Sequence, residues 1–232
     1  TDGTVILNSG GADIGTGLDT ISAKIVSEIL CLPMDRITVV SGDTDSCAFD
    51  TGAYASSGTF FSGNASLVAT KKLKEMILEE AAKQMEEDKE DLDVKAPGVV
   101  WSKKSGKELT YGDLSHTAIS GSGRGQIIAH GSFVTTASSV PYGAHFAQVA
   151  VNIKTGEVKV QKFYALQDAG TPINPEAALC QMYGAVMKSI GHSLYEGIIL
   201  DEDGNTLNAN LTDYGTPMIY EAPEDFKSVL IV

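Results

Sequence analysis

The sequence is poor in basic residues and in long apolar runs, and each shortage excludes a class of protein. Lys and Arg number 17 against 30 Asp and Glu, which gives a formal net charge of -13. A protein that binds nucleic acid through its phosphates needs a basic surface, so we expect no nucleic-acid partner. No apolar run approaches the roughly 20 residues of a membrane helix, and the first residues lack the blocks of a signal peptide. We therefore expect a cytoplasmic protein with no membrane partner.

Cysteine is also scarce, and the three cysteines are widely spaced and match no zinc site: Cys31, Cys47 and Cys180. An odd, scattered set is typical of the reducing cytoplasm, where disulfides are rare. The four histidines share no ligand spacing either, so we predict no metal-ligating side chain: His116, His130, His145 and His192. Glycine, in contrast, is plentiful, and its 24 residues cluster in a few short stretches.

Apolar spacing predicts a mixed α+β fold in which helices pack on mixed sheets. A strand over residues 4–8 leads through a glycine loop to a helix over 19–30, and a second strand follows at 37–41. A longer helix is predicted from about residue 63 to 87, and the acidic stretch 86–93 is assigned to the solvated surface.

The rest of the sequence predicts further strands and one more long helix. Short strands are expected at 99–101 and 109–111, and a hairpin of long strands at 144–153 and 157–166. A helix over 175–194 should begin with Pro175 in its first turn, where a missing N–H costs little. The last residues, 227–232, form an apolar β-branched run that predicts a final strand.

Three glycine-rich stretches are candidates for ligand binding. The first, residues 10–17, separates a strand from a helix, where backbone N–H groups can approach an oxyanion. It lacks the dinucleotide fingerprint and the P-loop pattern, so a plain strand-to-helix turn is the alternative. In the second, residues 50–59, small and hydroxylic side chains favour either a polar ligand or a capped surface loop. The third, residues 168–175, precedes a helix in which Gln181 is either a ligand contact or an ordinary core or surface residue.

In order, these stretches resemble the molybdenum-cofactor-binding subunit of the xanthine dehydrogenase and aldehyde oxidase family of molybdenum hydroxylases. Residues 13–20 are similar to the family's Asp-x-Gly-Gln-Gly-x-x-Thr loop, and residues 52–59 to its Gly-x-x-Ala-Ser-x-x-Thr stretch. Residues 168–175 resemble Asp-x-Gly-x-x-Ile-Asn-Pro, and two later patterns follow, Gly-Gln-x-x-Gly at 180–184 and Gly-x-x-x-x-Glu at 191–196. The resemblance runs from residue 5 to residue 217, and it implies the α+β molybdenum-cofactor-binding domain of the xanthine dehydrogenase type.

The resemblance also implies a cofactor. The loops would hold a molybdenum-bound molybdopterin, in bacteria commonly the molybdopterin cytosine dinucleotide form. Iron–sulfur clusters and FAD would lie on partner chains, an iron–sulfur subunit and an FAD subunit. By position, the implied cofactor-binding residues are Gly15, Thr16, Gly17, Tyr54, Ala55, Ser56, Ser57, Thr59 and Gln181.

The sequence departs from the family pattern at three of its positions. Thr16 stands where the family usually has Gln, and Gly-Thr-Gly resembles the subgroup of selenium-dependent xanthine dehydrogenases and nicotinate dehydrogenase, which makes selenium an expectation. Cys180 and Tyr183 replace the usual Gly and Glu of the Gly-Gln-x-Glu-Gly pattern.

Another departure concerns the extent of the chain. The family's general base is a glutamate in a Gly-Val-Gly-Glu motif, which is expected beyond Val232, so we predict no catalytic residue within these residues. We expect residues 1–232 to be part of a molybdopterin-binding domain, incomplete at both ends, with subdomains 1–140 and 141–232. The remaining polypeptide of that subunit would then be a partner.

The function implied is that of a multi-subunit molybdenum-dependent dehydrogenase. It would hydroxylate a small N-heteroaromatic substrate, xanthine- or nicotinate-like, with water as the oxygen source, and the 232 residues alone would be inactive. One alternative is a non-catalytic scaffold or a homologue that has lost its cofactor, which Thr16, Cys180 and Tyr183 favour. The other is a nucleotide- or phosphate-binding enzyme of another class that uses the same loops.

Overall fold

The structure, a computed structural model, describes residues 2–121, 125–137 and 140–231. Helices and strands are mixed in two units, residues 1–139 and 140–232, and the predicted α+β class is confirmed. Within these described ranges there are also three short 3₁₀ turns, at Met34–Arg36, Lys89–Asp91 and Ile219–Glu221.

The first unit is built on a strand–helix–strand crossover. Strands β1 (Val5–Ser9) and β2 (Ile37–Ser41) are parallel, and helix α1 (Leu18–Leu30) connects them, as a parallel pair requires. Helix α1 packs against the long helix α2 (Gly58–Met85). The glycine-rich loops that precede α1 and α2 are therefore attached to the best-packed part of the unit.

A three-stranded antiparallel sheet and one more helix complete the first unit. Strands β3 (Leu92–Lys95), β4 (Val99–Ser102) and β5 (Glu108–Thr110) pair in that order, and helix α3 (Tyr111–Ser120) follows at once. The buried core is shared by all these elements; it contains Ala23, Val26, Leu30, Leu32, Ile37, Ile77, Leu78, Ala81, Met85, Leu92, Val94, Val100, Tyr111 and Leu114.

The second unit is a small sheet covered by one helix. Strands β6 (Tyr142–Val151) and β7 (Val158–Asp168) form an antiparallel hairpin, and β8 (Asp225–Ile231) pairs parallel to β7. Helix α4 (Pro175–Leu194) packs on β7 and β8, and a single turn of helix, α5 (Leu211–Tyr214), follows it. Its small core consists of Val160, Ala165, Val186 and Ile190.

Three predicted segments differ from the structure. Helix α2 begins at Gly58 rather than near residue 63, because Phe60 and Phe61 in its first turn find a third aromatic ring to pack against. The acidic stretch 86–93 is not all solvated surface, since Leu92 is buried in β3. Tyr111 does not extend a strand but begins helix α3, which the sequence analysis missed.

Tyr111 stabilises the carboxyl end of α1, and its hydroxyl provides a test of the core. The side chain is buried and donates a 2.8 Å hydrogen bond to the carbonyl oxygen of Leu30, one of the helix-end carbonyls without an intrahelical partner. Burial raises the pKa of Tyr111, so the phenol is a neutral donor. Replacing Tyr111 with Phe should lower the unfolding free energy of the first unit by about 1 to 2 kcal/mol. Urea titration followed by the fluorescence of Trp101 measures this change; an unchanged midpoint would contradict the role of the hydroxyl.

Candidate functional site

The first glycine-rich loop lies between β1 and α1 and is folded around the carboxylate of Asp13. Asp13 Oδ1 accepts hydrogen bonds from the N–H groups of Gly15, at 2.9 Å, and Gly17, at 3.1 Å. Both glycines have positive φ, 95° and 79°, a conformation that side chains other than glycine rarely adopt. These two amides therefore face the protein's own carboxylate, whereas the sequence analysis had considered them as donors to a bound oxyanion.

Asp13 is ionised in this arrangement. Partial desolvation acts to raise the pKa of Asp13, but hydrogen bonds from the amides of residues 15, 19, 17 and 16 outweigh it and lower that pKa. Thr16, at the apex of the loop, has an exposed side chain. The loop thus combines a carboxylate that is bonded to the loop's own amides with the exposed hydroxyl group of Thr16.

The second loop, residues 50–57, leads into the N-terminus of α2. Ala55 and Ser56 both adopt left-handed conformations, with φ of 52° and 57°. The N–H and the hydroxyl of Ser57 both donate to the carbonyl oxygen of Tyr54, which closes the turn. Asp50 holds the start of the loop by accepting a 2.7 Å hydrogen bond from the N–H of Gly52. The Ser57 side chain is therefore part of the turn itself.

Ser57, the N-cap residue of α2, makes no side-chain cap hydrogen bond in the part of the chain that the structure describes. The first N–H groups of a helix lack intrahelical partners, and the helix dipole adds positive potential at this end. Helix α2 is 28 residues long, and the exposed hydroxyl of Thr59 lies in its first turn. This end of the helix is suited to an anionic group.

Both loops border one cavity of about 230 Å³. Its walls come from the start of the first loop, from the second loop and from the first turns of α2, and three predicted site residues line it: Tyr54, Ala55 and Ser57. Gly10 and Gly11 allow the first loop to lie close to the second loop and α2. A Cβ on Gly10 would lie 2.2 Å from the Ala48 oxygen, and a Cβ on Gly11 would lie 2.6 Å from Ser62 Oγ. The two glycines are visible in the sequence, but the need for glycine at these positions comes from contacts with residues about 40 to 50 positions later in the chain.

An aromatic cluster closes one side of this cavity, and the sequence analysis did not identify it. Phe60 and Phe61 pack edge-on at 5.3 Å between ring centroids, and Phe133 lies 5.7 Å and 6.1 Å from them. Phe133 belongs to the extended segment 125–137, which crosses α2 closely enough that a Cβ on Gly131 would fall 2.4 Å from the Ala69 nitrogen. Ala137, at the end of this segment, lines the cavity.

A second cavity of about 460 Å³ runs along β1 in the first unit. It is larger, and its lining includes the side chains of Leu7, Leu73, Ile77, Leu114 and Ile127. None of the predicted site residues borders it. The smaller cavity is therefore the candidate functional site, because predicted site residues line it.

The third predicted stretch belongs to the second unit. Asp168 and Asn174 fold it locally: Asp168 accepts from the N–H of Gly170 at 3.0 Å, and Asn174 caps α4 by accepting from the N–H of Ala177 at 3.4 Å. Gln181 is exposed on α4. The structure thus confirms the helix on which Gln181 was predicted.

Tyr183 has a structural role in the second unit. Its ring packs edge-on against Phe226 with centroids 4.8 Å apart, and its hydroxyl oxygen accepts a 3.2 Å hydrogen bond from the N–H of Ser228. The residue therefore ties α4 to β8. A Glu at this position would have no aromatic ring with which to pack against Phe226.

The described residues contain neither a cluster of metal-ligating side chains nor a membrane-spanning helix. No group of three or more His, Cys, Asp or Glu side chains is placed to hold a metal ion. No helix there is both long and apolar enough to cross a membrane.

Comparison with known proteins gives consistent matches. A family model described as a molybdopterin cofactor-binding domain matches residues 1–223. The probable hypoxanthine oxidase XdhD of Escherichia coli K12 is 50% identical over 231 residues, which are 100% of this chain and 24% of that protein. The putative xanthine dehydrogenase molybdenum-binding subunit XdhA of the same strain is 31% identical over 96% of this chain and 30% of its own length.

A solved structure resembles the whole chain. Reconstituted CO dehydrogenase from Oligotropha carboxidovorans superposes with a TM-score of 0.83 and 28% sequence identity, over 98% of this chain and 28% of that one. The chain therefore spans between about a quarter and a third of the length of the proteins it matches.

Proposed function

Because the chain belongs to the molybdopterin cofactor-binding domain family, we propose that it is the cofactor-binding part of a molybdenum hydroxylase. The substrate proposed is an N-heteroaromatic compound, xanthine- or nicotinate-like, which is hydroxylated with water as the oxygen source. The 50% identity to a probable hypoxanthine oxidase supports this substrate class. Turnover is proposed for the complete multi-subunit enzyme and not for these 232 residues alone.

One observation carries the proposal: the cavity bordered by both loops opens at a helix N-terminus that has no side-chain cap within the described residues. Molybdopterin is a large, polar, anionic ligand, and its charged groups are suited to hydrogen bonds donated by backbone N–H and hydroxyl groups. The first turn of α2 offers backbone N–H groups and the hydroxyl of Thr59, and Ser56 adds a second exposed hydroxyl beside it.

The residues present fit this ligand. Ser56, Thr59 and the first amides of α2 would hold its phosphate, and Tyr54 and Ala55 would border the part of the ligand in the cavity. The loop of Gly15, Thr16 and Gly17 would present the Thr16 hydroxyl, and Gln181 would contribute an amide. The bound molybdenum cofactor supplies the redox chemistry, while this chain supplies hydrogen-bond donors, orientation and exclusion of water.

Further parts of the proposal have narrower support. The family resemblance supports the cytosine dinucleotide form and the iron–sulfur clusters and FAD on partner chains, and the description of XdhA as a subunit supports the existence of partner chains. Selenium is supported only by the Gly15-Thr16-Gly17 sequence. A cytoplasmic location is supported by the free thiols of the cysteines.

The alternative, a scaffold without cofactor, is weakened by the place of Tyr183. One reason for that alternative was the replacement of a usual Glu by Tyr183, and its contacts with Phe226 and Ser228 show a packing role for the tyrosine. The replacement therefore does not by itself indicate a lost cofactor. Thr16 and Cys180 are the remaining differences on which the alternative rests.

Metal and pterin analysis of the purified full-length protein with its partner subunits tests the proposed function. We expect near-stoichiometric molybdenum by mass spectrometry and, after acid oxidation, the fluorescence of an oxidised pterin. Molybdenum without pterin fluorescence would indicate adventitious metal and would contradict the proposal. Absence of both signals from protein with intact loops would favour the scaffold.

A further inference from the structure

Asp13 has more backbone partners than an ordinary surface aspartate. Its Oδ1 accepts from Gly15 and Gly17, and its Oδ2 accepts from the N–H of Asp19 at 3.3 Å. The amide of Thr16 also contributes to the low pKa of Asp13. The Asp13 carboxylate therefore accepts hydrogen bonds both from amides of the loop and from an amide in the first turn of α1.

The position of Asp13 also compensates for the missing cap of α1. The N-cap residue of this helix is Gly17, which has no side chain, so the helix lacks the usual Ser, Thr, Asp or Asn cap. Asp13 takes this role from four residues earlier, through its bond to the amide of Asp19. Asp19 is itself linked to the end of β2, because Ser41 Oγ donates to Asp19 Oδ2 at 3.0 Å.

The glycines of the loop serve this arrangement. A Cβ on Gly15 would meet nothing within 4 Å, so glycine is not required there by crowding in the chain itself. It is required by the φ of 95°, which turns the amide toward Asp13. With the amides of Gly15 and Gly17 facing inward, the outward hydrogen-bonding side chain at the apex is that of Thr16.

We propose that Asp13 is a positioning residue that folds the first loop from within and thereby fixes where Thr16 meets the cofactor. The inference rests on the proposed function, since it concerns the same ligand. It assigns different tasks to the two loops: the amides of the first loop bind the protein's own carboxylate, and anion binding is left to the N-terminus of α2.

Two substitutions of Asp13 remove its hydrogen bonds to the loop to different extents. Asp13→Ala removes both carboxylate oxygens that accept from the amides of Gly15, Gly17 and Asp19. Asp13→Asn keeps an oxygen for the amides of Gly15 and Gly17 but places an N–H₂ group opposite the amide of Asp19, so it should rescue part of the arrangement.

Asp201 provides a matched control. It is a partly exposed carboxylate that organises a turn, accepting from the N–H groups of Asp203, at 2.9 Å, and Asn205, at 2.8 Å. It lies outside the predicted site residues, so Asp201→Ala removes a comparable set of bonds without touching the proposed cofactor loops.

The experiment combines hydrogen exchange with cofactor content in the purified full-length protein and its partners. In Asp13→Ala we expect the amides of Gly15 and Gly17 to exchange roughly tenfold faster or more, and molybdenum and pterin content to fall at least about threefold. Asp13→Asn should lie between Asp13→Ala and wild type in both measurements. Asp201→Ala should speed exchange only near residues 203–205 and keep its full cofactor content.

Other results separate the two proposals. Wild-type protein with pterin and an Asp13→Ala variant with equal pterin would contradict the role of Asp13 and leave the proposed function standing. Equal cofactor loss in Asp13→Ala and Asp201→Ala would reduce Asp13 to a general stabilising residue and would also overturn the inference. Wild-type protein without molybdenum and pterin would contradict the proposed function and the inference with it. If Asp13→Ala fails to fold, full cofactor content in Asp13→Asn together with faster exchange at Gly15 and Gly17 would overturn the inference.

Discussion

The double variant Ser56→Ala, Thr59→Val should lose cofactor by more than about tenfold while its stability stays nearly unchanged. Both hydroxyls are exposed at the N-terminus of α2, and Thr59→Val replaces a hydroxyl by a methyl group of the same shape. A hydrogen bond to a charged group contributes roughly 1.5 to 3 kcal/mol, so losing two of them weakens binding strongly. Molybdenum and pterin content per polypeptide measures the loss.

The backbone conformation and hydrogen bonds of the second loop determine which serine substitutions test ligand binding without disturbing the loop. Ser56 has a φ of 57°, where a β-branched residue is strained, so Ala is preferable to Val at this position. Ser57 is left intact because its hydroxyl closes the turn onto Tyr54, and its removal would disturb the loop for reasons unrelated to a ligand.

A control pair comes from α3, where Thr117 and Ser120 are also exposed. Thr117→Val with Ser120→Ala removes the same two functional groups away from the loops. This variant should retain its cofactor, and its unfolding midpoint should resemble that of the site variant. Equal retention in both double variants would show that the hydroxyls of Ser56 and Thr59 do not bind the ligand.

Gly131→Ala should detach the segment 125–137 from helix α2. The added Cβ would lie 2.4 Å from the Ala69 nitrogen and 2.6 Å from the Ala65 oxygen, and helix backbone cannot move aside as a flexible side chain can. Lifting the segment would remove Phe133 from Phe60 and Phe61. We expect a loss of about 1 to 3 kcal/mol in the unfolding free energy of the first unit, measured through Trp101 fluorescence.

Limited proteolysis distinguishes detachment from general unfolding. A protease that cuts at apolar residues should cleave the 125–137 segment of Gly131→Ala before it cleaves α1 or α2. Gly197→Ala is the matched control, since Gly197 has no atom within 4 Å of its added Cβ and no positive φ. Uniform cleavage of Gly131→Ala, or resistance equal to the control, would contradict the close crossing.

Elements defined by local signals were predicted well from the sequence. Helix α4 has the predicted bounds, Pro175 to Leu194, because a proline in the first turn and an asparagine cap mark its start. Helix α3 also had a local signal, since Thr110 accepts from the N–H of Asp113 as an N-cap, but the apolar residues around it favoured a strand. Strand β3 had no such local signal. Leu92 and Val94 belong to a strand because they pair with β4, and that pairing is not visible in the acidic sequence around them.

At the candidate site, too, features set by neighbouring residues could be predicted and features set by distant contacts could not. Its loops could be located, because runs of glycine and hydroxylic residues are visible along the chain. Two features could not be predicted. The inward direction of the loop amides depends on the placement of one side chain, Asp13. The packing behind the cavity-lining Phe60 depends on Phe133, which lies about 70 residues later in the chain.

The uncapped N-terminus of α2 has a consequence for folding. A helix without a side-chain cap is less stable by about 1 kcal/mol than one that has it. Without a bound ligand, the N-terminus of α2 therefore lacks this contribution to the folding free energy. A bound anion that accepts these amide hydrogen bonds would act as the absent cap. Occupancy and folding would then be thermodynamically linked, with the melting temperature rising as the site fills. A cell that synthesises this chain faster than its ligand would therefore accumulate the form that unfolds more easily.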